Sequence, residues 1–253
     1  SSAFSNCASL AAVTLPSTLT TLGNQAFSGC TALQSVSIPG TVQTIPQQAF
    51  SGCTALESVT LGDGVQSIGQ RAFDRCSELT SINFPSTLTT INGAAFRYCG
   101  FTSIEIPSTV TEYTTYYGYA FDHCGSLLTA KVGSPIIPTS MFSSCGSLQE
   151  VELEEGVTQI LGDSFQYCRA LEKIIIPKTV TYIESPGFYK TETFAIYGYP
   201  NSYAQTYANE NGFNFVDITL QTDTRTLTAT VQAPEGEAAV SPEDYTIQWF
   251  SAG

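Results

Sequence analysis

The chain has 253 residues, of which 42% are hydrophobic and 12% charged, and its 22 acidic and 9 basic residues give a formal net charge of −13. Proteins that bind nucleic acids or anionic membranes need clusters of basic residues, so this composition argues against both classes of partner. No apolar run approaches the roughly 20 residues that span a bilayer, so we expect no membrane insertion. No signal sequence is recognisable, which indicates a mature or trimmed form.

A short motif, Phe-x-x-Cys, recurs eight times from the start of the chain. Its cysteines, which number the repeats 1 to 8, are Cys7, Cys30, Cys53, Cys76, Cys99, Cys124, Cys145 and Cys168. Successive cysteines are 23 residues apart, except for one gap of 25 and one of 21. A period of this length is typical of a solenoid, in which each repeat forms one coil that buries its apolar side only by stacking on its neighbours.

Each repeat predicts a short strand. The pattern after the cysteine is C-x-x-L-x-x-[VI]-x-[IL]-[PG], as in residues 30–40 and 53–63. Alternation places the last two apolar residues on one face of a strand, and the following Pro or Gly ends it. A second apolar pair such as Val42 and Ile45, then Ala49-Phe50, closes the coil. No window keeps a helical stripe long enough for one α-helix per repeat.

These motifs resemble the BspA-like leucine-rich repeats, a Cys- and Phe-containing class, and the resemblance covers about residues 1–184. It implies a right-handed superhelical solenoid, mostly β with short turns, with a curved parallel sheet on its concave side. It also implies an extracellular or cell-surface protein, chiefly of host-associated bacteria, that binds partners or mediates adhesion rather than catalysing a reaction.

The fifth repeat departs most from the pattern. Its segment GFTSIEIP is one residue shorter than its counterparts, and TEYTTYYGYAF carries about three extra residues. Insertions bulge from a coil, often on the binding side, and tyrosine suits interfaces. We therefore take Tyr113, Tyr116 and Tyr117 as candidate ligand-binding residues, and expect Ala at the last two to weaken binding. The alternative is that these rings merely cover apolar surface.

The repeat fades after Ile183. We predict a C-terminal cap over residues 185–217. Its helix, at 202–210, carries Tyr203, Thr206 and Tyr207 at helical spacing and is stopped by Asn211-Gly212. A short strand at Phe213 and Phe215 follows the helix. Residues 218–253 alternate as strands and resemble the start of a truncated all-β, Ig-like module, with Trp249 suggestively placed, and the alternative is a linker. So few residues cannot bury a core of their own, so we expect the natural protein to continue beyond Gly253.

The reactive residue types favour no catalytic or metal site. Cysteines at one place in every coil predict a ladder of buried free thiols, since stacked parallel side chains do not meet disulfide geometry. His123 is expected to face solvent beside a buried Cys124, which leaves no activated nucleophile. The glutamates of QEVELEEG, from Glu150 to Glu155, are expected to be solvated, with calcium binding a minor alternative. We predict no cofactor.

Residues flanking the central Val or Ile of each strand should point outward, onto the sheet surface. In coils 2 to 5 these candidate ligand-binding residues are Ser35, Ser37, Ser58, Thr60, Ser81, Asn83, Ser103 and Glu105. The alternative is that this surface is only a solvated sheet.

Our first interpretation is a monomeric, non-enzymatic binding or adhesion module whose partner is a host or bacterial surface protein, with glycan second. The second is a passive spacer displaying another domain.

Overall fold

The repeat folds into coils that stack through parallel strands. A computed structural model describes residues 1–113, 119–189 and 191–220. The chain divides into two units, Ser1–Thr219 and Leu220–Gly253, and the coils belong to the first. Tyr116, Tyr117 and the predicted Ig-like strands with Trp249 lie outside the described residues.

Each complete coil contributes a strand after its cysteine and, in most coils, a second short strand. The strands in chain order are β1 (Ser35–Ile38), β2 (Thr44–Ile45), β3 (Ser58–Leu61), β4 (Ser67–Ile68), β5 (Ser81–Ile82), β6 (Thr90–Ile91), β7 (Ser103–Ile106), β8 (Thr129–Val132), β9 (Ile136–Ile137), β10 (Glu150–Leu153), β11 (Gln159–Ile160), β12 (Lys173–Ile175), β13 (Tyr182–Ile183), β14 (Ala195–Gly198) and β15 (Asn214–Asp217). A helix, α1 (Tyr203–Asn211), and a 3-10 turn at Ile218–Leu220 complete the described elements.

These strands form four parallel sheets within the described residues. The strands after the cysteines pair in the orders β1-β3-β5 and β7-β8-β10-β12-β14-β15, and the short second strands pair in the orders β2-β4-β6 and β9-β11-β13. The register follows the repeat length, since Ser35 lies opposite Ser58 and Ser58 opposite Ser81. The predicted parallel solenoid of about eight coils is therefore confirmed, and strand pairing continues past residue 184 through β14 and β15.

Two side-chain columns fill the space inside the coils. Nine phenylalanines stack nearly parallel, with ring centroids 5.2–5.6 Å apart between neighbours, and they are Phe4, Phe27, Phe50, Phe73, Phe96, Phe121, Phe142, Phe165 and Phe188. Seven of the eight cysteines are buried and all eight are free, which confirms the predicted thiol ladder, while Cys7 in coil 1 is exposed. Each of the seven thiols also donates to the carbonyl oxygen of a Phe in the preceding coil, at 3.1–3.2 Å.

The residue before each cysteine has a left-handed backbone, and we name these eight positions the corner column. Their φ angles lie between 58° and 74°, at Asn6, Gly29, Gly52, Arg75, Tyr98, His123, Ser144 and Tyr167. This conformation suits glycine, whereas a larger side chain costs free energy on the order of 1–3 kcal/mol. Only coils 2 and 3 use glycine here, so the other coils accept that cost.

The sheet is interrupted between coils 4 and 5, because β5 and β7 belong to different sheets. The sheet resumes at β7, which pairs with β8 of coil 6, and the single-residue deletion after Cys99 falls in the segment that leads into β7. Between coils 3 and 4, strand β5 ends at Ile82 and leaves Leu61 of β3 without a partner in that strand. The amide of Asn83 takes that place: its Nδ2 donates to the Leu61 carbonyl and its Oδ1 accepts from the Leu61 N–H, both at 2.8 Å.

Asn83→Ala should lower the free energy of unfolding by about 1–3 kcal/mol, since it leaves the backbone polar groups of the buried Leu61 without these partners. Ser37→Ala, at the equivalent outward position of coil 2, is the matched control and should change stability by less than about 0.5 kcal/mol. Urea unfolding followed by circular dichroism measures both. Equal stabilities for the two variants would contradict the structural role of Asn83.

Helix α1 forms where the sequence predicts it. Ser202 is its N-cap and accepts a hydrogen bond from the Gln205 N–H, and Gly212 ends it with φ 66°. The packed face differs from the tyrosine spacing singled out above, because Ala204, Tyr207 and Ala208 are buried whereas Tyr203 and Thr206 are exposed. The small alanines let the helix approach β13, β14 and β15. Its role as a cap stays a prediction.

Candidate functional site

The outward residues of the strands form one surface, which we name the sheet face. All eight predicted ligand-binding residues of this surface are exposed: Ser35, Ser37, Ser58, Thr60, Ser81, Asn83, Ser103 and Glu105. Strand pairing aligns them in two rows, and the interruption between β5 and β7 separates coils 2 to 4 from coil 5. Asn83 differs from the rest because its amide already binds Leu61.

Three adjoining open depressions on this part of the solenoid make up what we name the sheet groove. The first, of about 380 Å³, lies at the interruption and is lined by Thr80, Ser81, Ile82, Phe84, Ser103, Ile104, Glu105 and Pro107. The second, of about 350 Å³, is lined by Ser103, Ile104, Glu105, Thr129, Ala130, Lys131, Glu150 and Glu152. The third, of about 410 Å³, is lined by Glu152, Leu153, Glu154, Glu155, Ile175, Pro177, Tyr199 and Ile218. Shared lining residues join the first to the second and the second to the third.

The sheet groove is acidic. Five glutamates line it, and Lys131 is the only basic residue among the lining residues given above. Lys131 is paired with Glu154 at 2.8 Å, and the hydrogen bond that its ammonium donates to that carboxylate raises the pKa of the lysine. Lys173, on the neighbouring strand, pairs with Glu150 at 2.7 Å. An acidic groove on a chain with net charge −13 attracts cationic groups.

The depression at the interruption has an apolar floor. Ile82 and Phe84 are partly exposed there, whereas the equivalent Val59 and Leu61 of coil 3 are buried. The stacked coils do not move apart, since the rings of Phe73 and Phe96 remain 5.4 Å apart. The opening, of about 380 Å³, offers space for side chains of a partner.

The tyrosine-rich segment of coil 5 is described only at its two ends. Tyr113 packs against the core and burial raises the pKa of its hydroxyl, so it does not present its ring to solvent as a surface bulge would. Tyr119, after the gap in the described residues, is 38% exposed. The structure therefore does not bring Tyr113 together with the sheet-face residues.

The reactive residue types are placed as the sequence predicts. His123 has an exposed ring, with Nδ1 2.8 Å from Asp122 Oδ2, and the adjacent Cys124 is fully buried. The described part of the chain contains no group of three or more His, Cys, Asp or Glu residues arranged to hold a metal ion. Glu150 and Glu154 are instead engaged by lysines.

Sequence reasoning missed the residues that give the sheet groove its character. The repeat pattern predicts that the side chains of Ile82 and Phe84 point inward, yet both line the first depression. The one-residue deletion in coil 5 is the only indication in the sequence that the repeat is irregular there. The corner column was also missed, although the change from FSGC to FDRC, FRYC and FDHC in coils 4 to 6 marks it in the sequence.

Stacked parallel strands, with a buried Leu and a buried Cys in most coils, define a leucine-rich-repeat solenoid. The family model described as "BspA type Leucine rich repeat region" matches residues 1–128, 112–195 and 135–229, with six copies. The chain belongs to this family, whose solenoids are typically non-enzymatic binding scaffolds. A comparison with curated proteins finds no match. No helix in the described ranges is long and apolar enough to cross a membrane.

Solved structures show the same architecture. A leucine-rich repeat protein from Bacteroides ovatus is 30% identical, with a TM-score of 0.59, over 72% of this chain and 49% of its own. This chain thus spans about half the length of that relative. The T. pallidum leucine-rich repeat protein TpLRR is 24% identical over 72% of this chain and 85% of its own, with a TM-score of 0.53. The pneumococcal vaccine antigen PcpA is 17% identical over 76% of this chain and 42% of its own, with a TM-score of 0.52, and these two show the fold alone.

Proposed function

We propose that this chain is a non-enzymatic module of an extracellular or cell-surface protein, and that it binds a partner protein through the sheet groove. The acidic lining of the sheet groove, next to an apolar floor, is the observation that carries the proposal. Membership of the BspA-type family supports the surface location and the binding role.

The chemistry of the sheet groove favours a partner segment with an Arg or Lys side chain. The aliphatic stem of such a side chain packs on Ile82 and Phe84, while its charged end reaches the exposed carboxylate of Glu105 at the rim. Glu152, exposed in the next depression, supplies a second carboxylate. A host or bacterial surface protein with a basic segment meets both requirements, and the net charge of −13 steers it to the chain.

Glu105→Gln should weaken binding of such a partner by about tenfold or more, because a charge-assisted hydrogen bond is lost while the shape is kept. The measurement is surface plasmon resonance of the full 253-residue chain against purified host and bacterial extracellular proteins. Glu78→Gln is the matched control, since Glu78 is exposed in coil 4 but does not line the sheet groove, and its affinity should equal that of the wild type.

Three outcomes would contradict this function. A partner protein that binds Glu105→Gln and the wild type equally is not held by the sheet groove. A chain that binds no protein, while a neighbouring domain of the natural protein does, is the spacer of the second interpretation. Binding of a neutral glycan with no effect of added salt would also contradict the cationic partner, because exposed charge pairs are screened by salt.

A further inference from the structure

The corner column carries large polar side chains in three successive coils. Coils 2 and 3 have Gly29 and Gly52 there, whereas coils 4, 5 and 6 have Arg75, Tyr98 and His123, all with positive φ. Their backbones adopt a conformation that larger residues rarely take, and the stacking of the coils does not require these side chains, since glycine occupies the same position elsewhere. The same backbone also carries Ser144 and Tyr167, so the side chain at this position is not fixed by the fold and is free for a role other than packing.

The three side chains form a continuous stack, which we name the corner cluster. The Arg75 guanidinium lies over the Tyr98 ring, 5.0 Å from its centroid. The His123 ring lies 4.7 Å from the Tyr98 ring, between centroids, and is tilted by 41°. Because the three residues belong to successive coils, Arg75 and His123 lie on opposite sides of Tyr98.

Two buried carboxylates, those of Asp74 and Asp122, bind Arg97 and His123 and so fix the positions of side chains around the Tyr98 ring. Arg97 binds Asp74 through two hydrogen bonds of 2.9 and 3.1 Å, and its guanidinium also lies 5.3 Å from the Tyr98 ring centroid. Asp122 fixes the His123 ring through Nδ1 at 2.8 Å. Asp74 and Asp122 are only 5% and 6% exposed, so both acidic groups point away from solvent and are engaged by their partners.

The groups of the corner cluster that remain available to a ligand are polar, chiefly the N–H groups of the Arg75 guanidinium. Among the described residues Arg75 has no carboxylate partner, so the N–H groups of its exposed guanidinium are available. Both faces of Tyr98 are covered, so its ring does not offer the free face on which a sugar stacks. A guanidinium whose face rests on an aromatic ring presents its N–H fork sideways, in the geometry that a carboxylate accepts.

We propose that the corner cluster of Arg75, Tyr98 and His123 is a second contact surface, which binds a carboxylate side chain on a segment of a partner protein. It goes beyond the proposed function, because none of these residues lines the sheet groove and because the two surfaces take ligand groups of opposite charge. Arg and Tyr are also the residue types enriched in the energetically dominant positions of protein interfaces. The net charge of −13 disfavours a polyanionic ligand, and a single carboxylate among neutral residues suits the corner cluster better.

His123 makes the proposal directly testable, because it is the only histidine in the chain. Its imidazole signals in NMR spectra of the full chain report on the corner cluster alone. The probes are the peptides acetyl-Gly-Glu-Gly-amide and acetyl-Gly-Gln-Gly-amide, which differ only in charge. We expect the Glu peptide to shift the His123 signals in a saturable way, and to bind the wild type at least about tenfold more tightly than the Gln peptide does.

The variants introduce glycine, which already occupies the corner column in coils 2 and 3. Arg75→Gly recreates the position as it is in coils 2 and 3, so the fold is kept, and it should weaken binding of the Glu peptide at least about tenfold. Tyr167→Gly is the matched control, because Tyr167 occupies the same column in coil 8, is 48% exposed and lies outside the corner cluster, and it should bind like the wild type.

Three results would overturn the proposal. One is equal shifts of the His123 signals with the Glu and Gln peptides. Another is binding of the Glu peptide to Arg75→Gly with unchanged affinity. The third is a saturable shift with sialyllactose but with neither peptide, which would assign the corner cluster to a glycan. These results concern only the corner cluster and do not test the sheet groove. This proposal can therefore be wrong while the proposed function is right, and the reverse also holds.

Discussion

Phe96→Ala should lower the free energy of unfolding by about 3–5 kcal/mol, which is the largest effect that we expect from a single substitution. Phe96 is fully buried and stacks between Phe73 and Phe121, with ring centroids 5.4 and 5.2 Å away. Phe84 and Phe101 also contact its ring by their edges, at 5.8 and 5.7 Å. Alanine removes all four aromatic contacts and leaves a cavity beside the interruption of the sheet, where β5 and β7 do not pair.

Chemical unfolding followed by circular dichroism measures this loss, and Phe4→Ala is its matched control. Phe4 belongs to the same column but is 48% exposed and stacks on one described ring, that of Phe27. Its substitution should cost less than about 1.5 kcal/mol, because little apolar surface is newly exposed. Equal losses for the two variants would show that the column does not stabilise the solenoid in proportion to burial.

The thiol ladder should make the protein lose stability in alkali. Burial raises the pKa of Cys53 and of Cys168 from the usual 9.0 to about 12, and it raises the pKa of Cys76, Cys99 and Cys145 well above 9.0. Above pH 9 the unfolded chain releases these thiol protons while the folded chain keeps them, so unfolding becomes more favourable. The stabilisation is fully present below pH 9 and declines as the pH rises toward 12, by up to about 1.4 kcal/mol per pH unit for each thiol.

Cys53→Ala isolates the contribution of one thiol to this pH dependence. The variant should show a slope of stability against pH between 9 and 11 that is smaller by up to about 1.4 kcal/mol per pH unit. Cys7→Ala is the control, because Cys7 is exposed, and its slope should match that of the wild type. Urea unfolding at several pH values provides the slopes. If Cys53→Ala and the wild type decline in parallel, the buried thiols do not govern alkaline stability.

The coil could be predicted from sequence because its signals repeat. Val36 and Ile38 alternate with Ser35 and Ser37 in the sequence, and the burial of β1 alternates in the same way. The same pattern recurs in β3, β7, β8 and β10, so a single interpretation applies to each of them. Helix α1 was predicted from the spacing of its tyrosines and from its C-terminal stop, but its packed face was not, because Ala204 and Ala208 carry little periodic signal beside two tyrosines.

The site was harder to predict because it depends on departures from the repeat. The deletion near Cys99 was visible in the sequence, but it does not show that β5 and β7 fail to pair, and this gap is where Ile82 and Phe84 become accessible. The corner cluster depends on φ values that sequence periodicity does not reveal, since Gly29 and Tyr98 adopt the same backbone. Pairing of Glu150 with Lys173 follows only from strand register.

The side chains of the corner column can vary without affecting the Phe and Cys columns that maintain the solenoid. Its backbone conformation is the same in every coil, whether the residue is Gly52, Ser144 or Tyr167, so an exchange at this position leaves the Phe and Cys columns undisturbed. We therefore expect related proteins to diverge in sequence faster at this position than at its neighbours. A lineage can gain or lose a contact surface there by single codon changes, without reworking the scaffold.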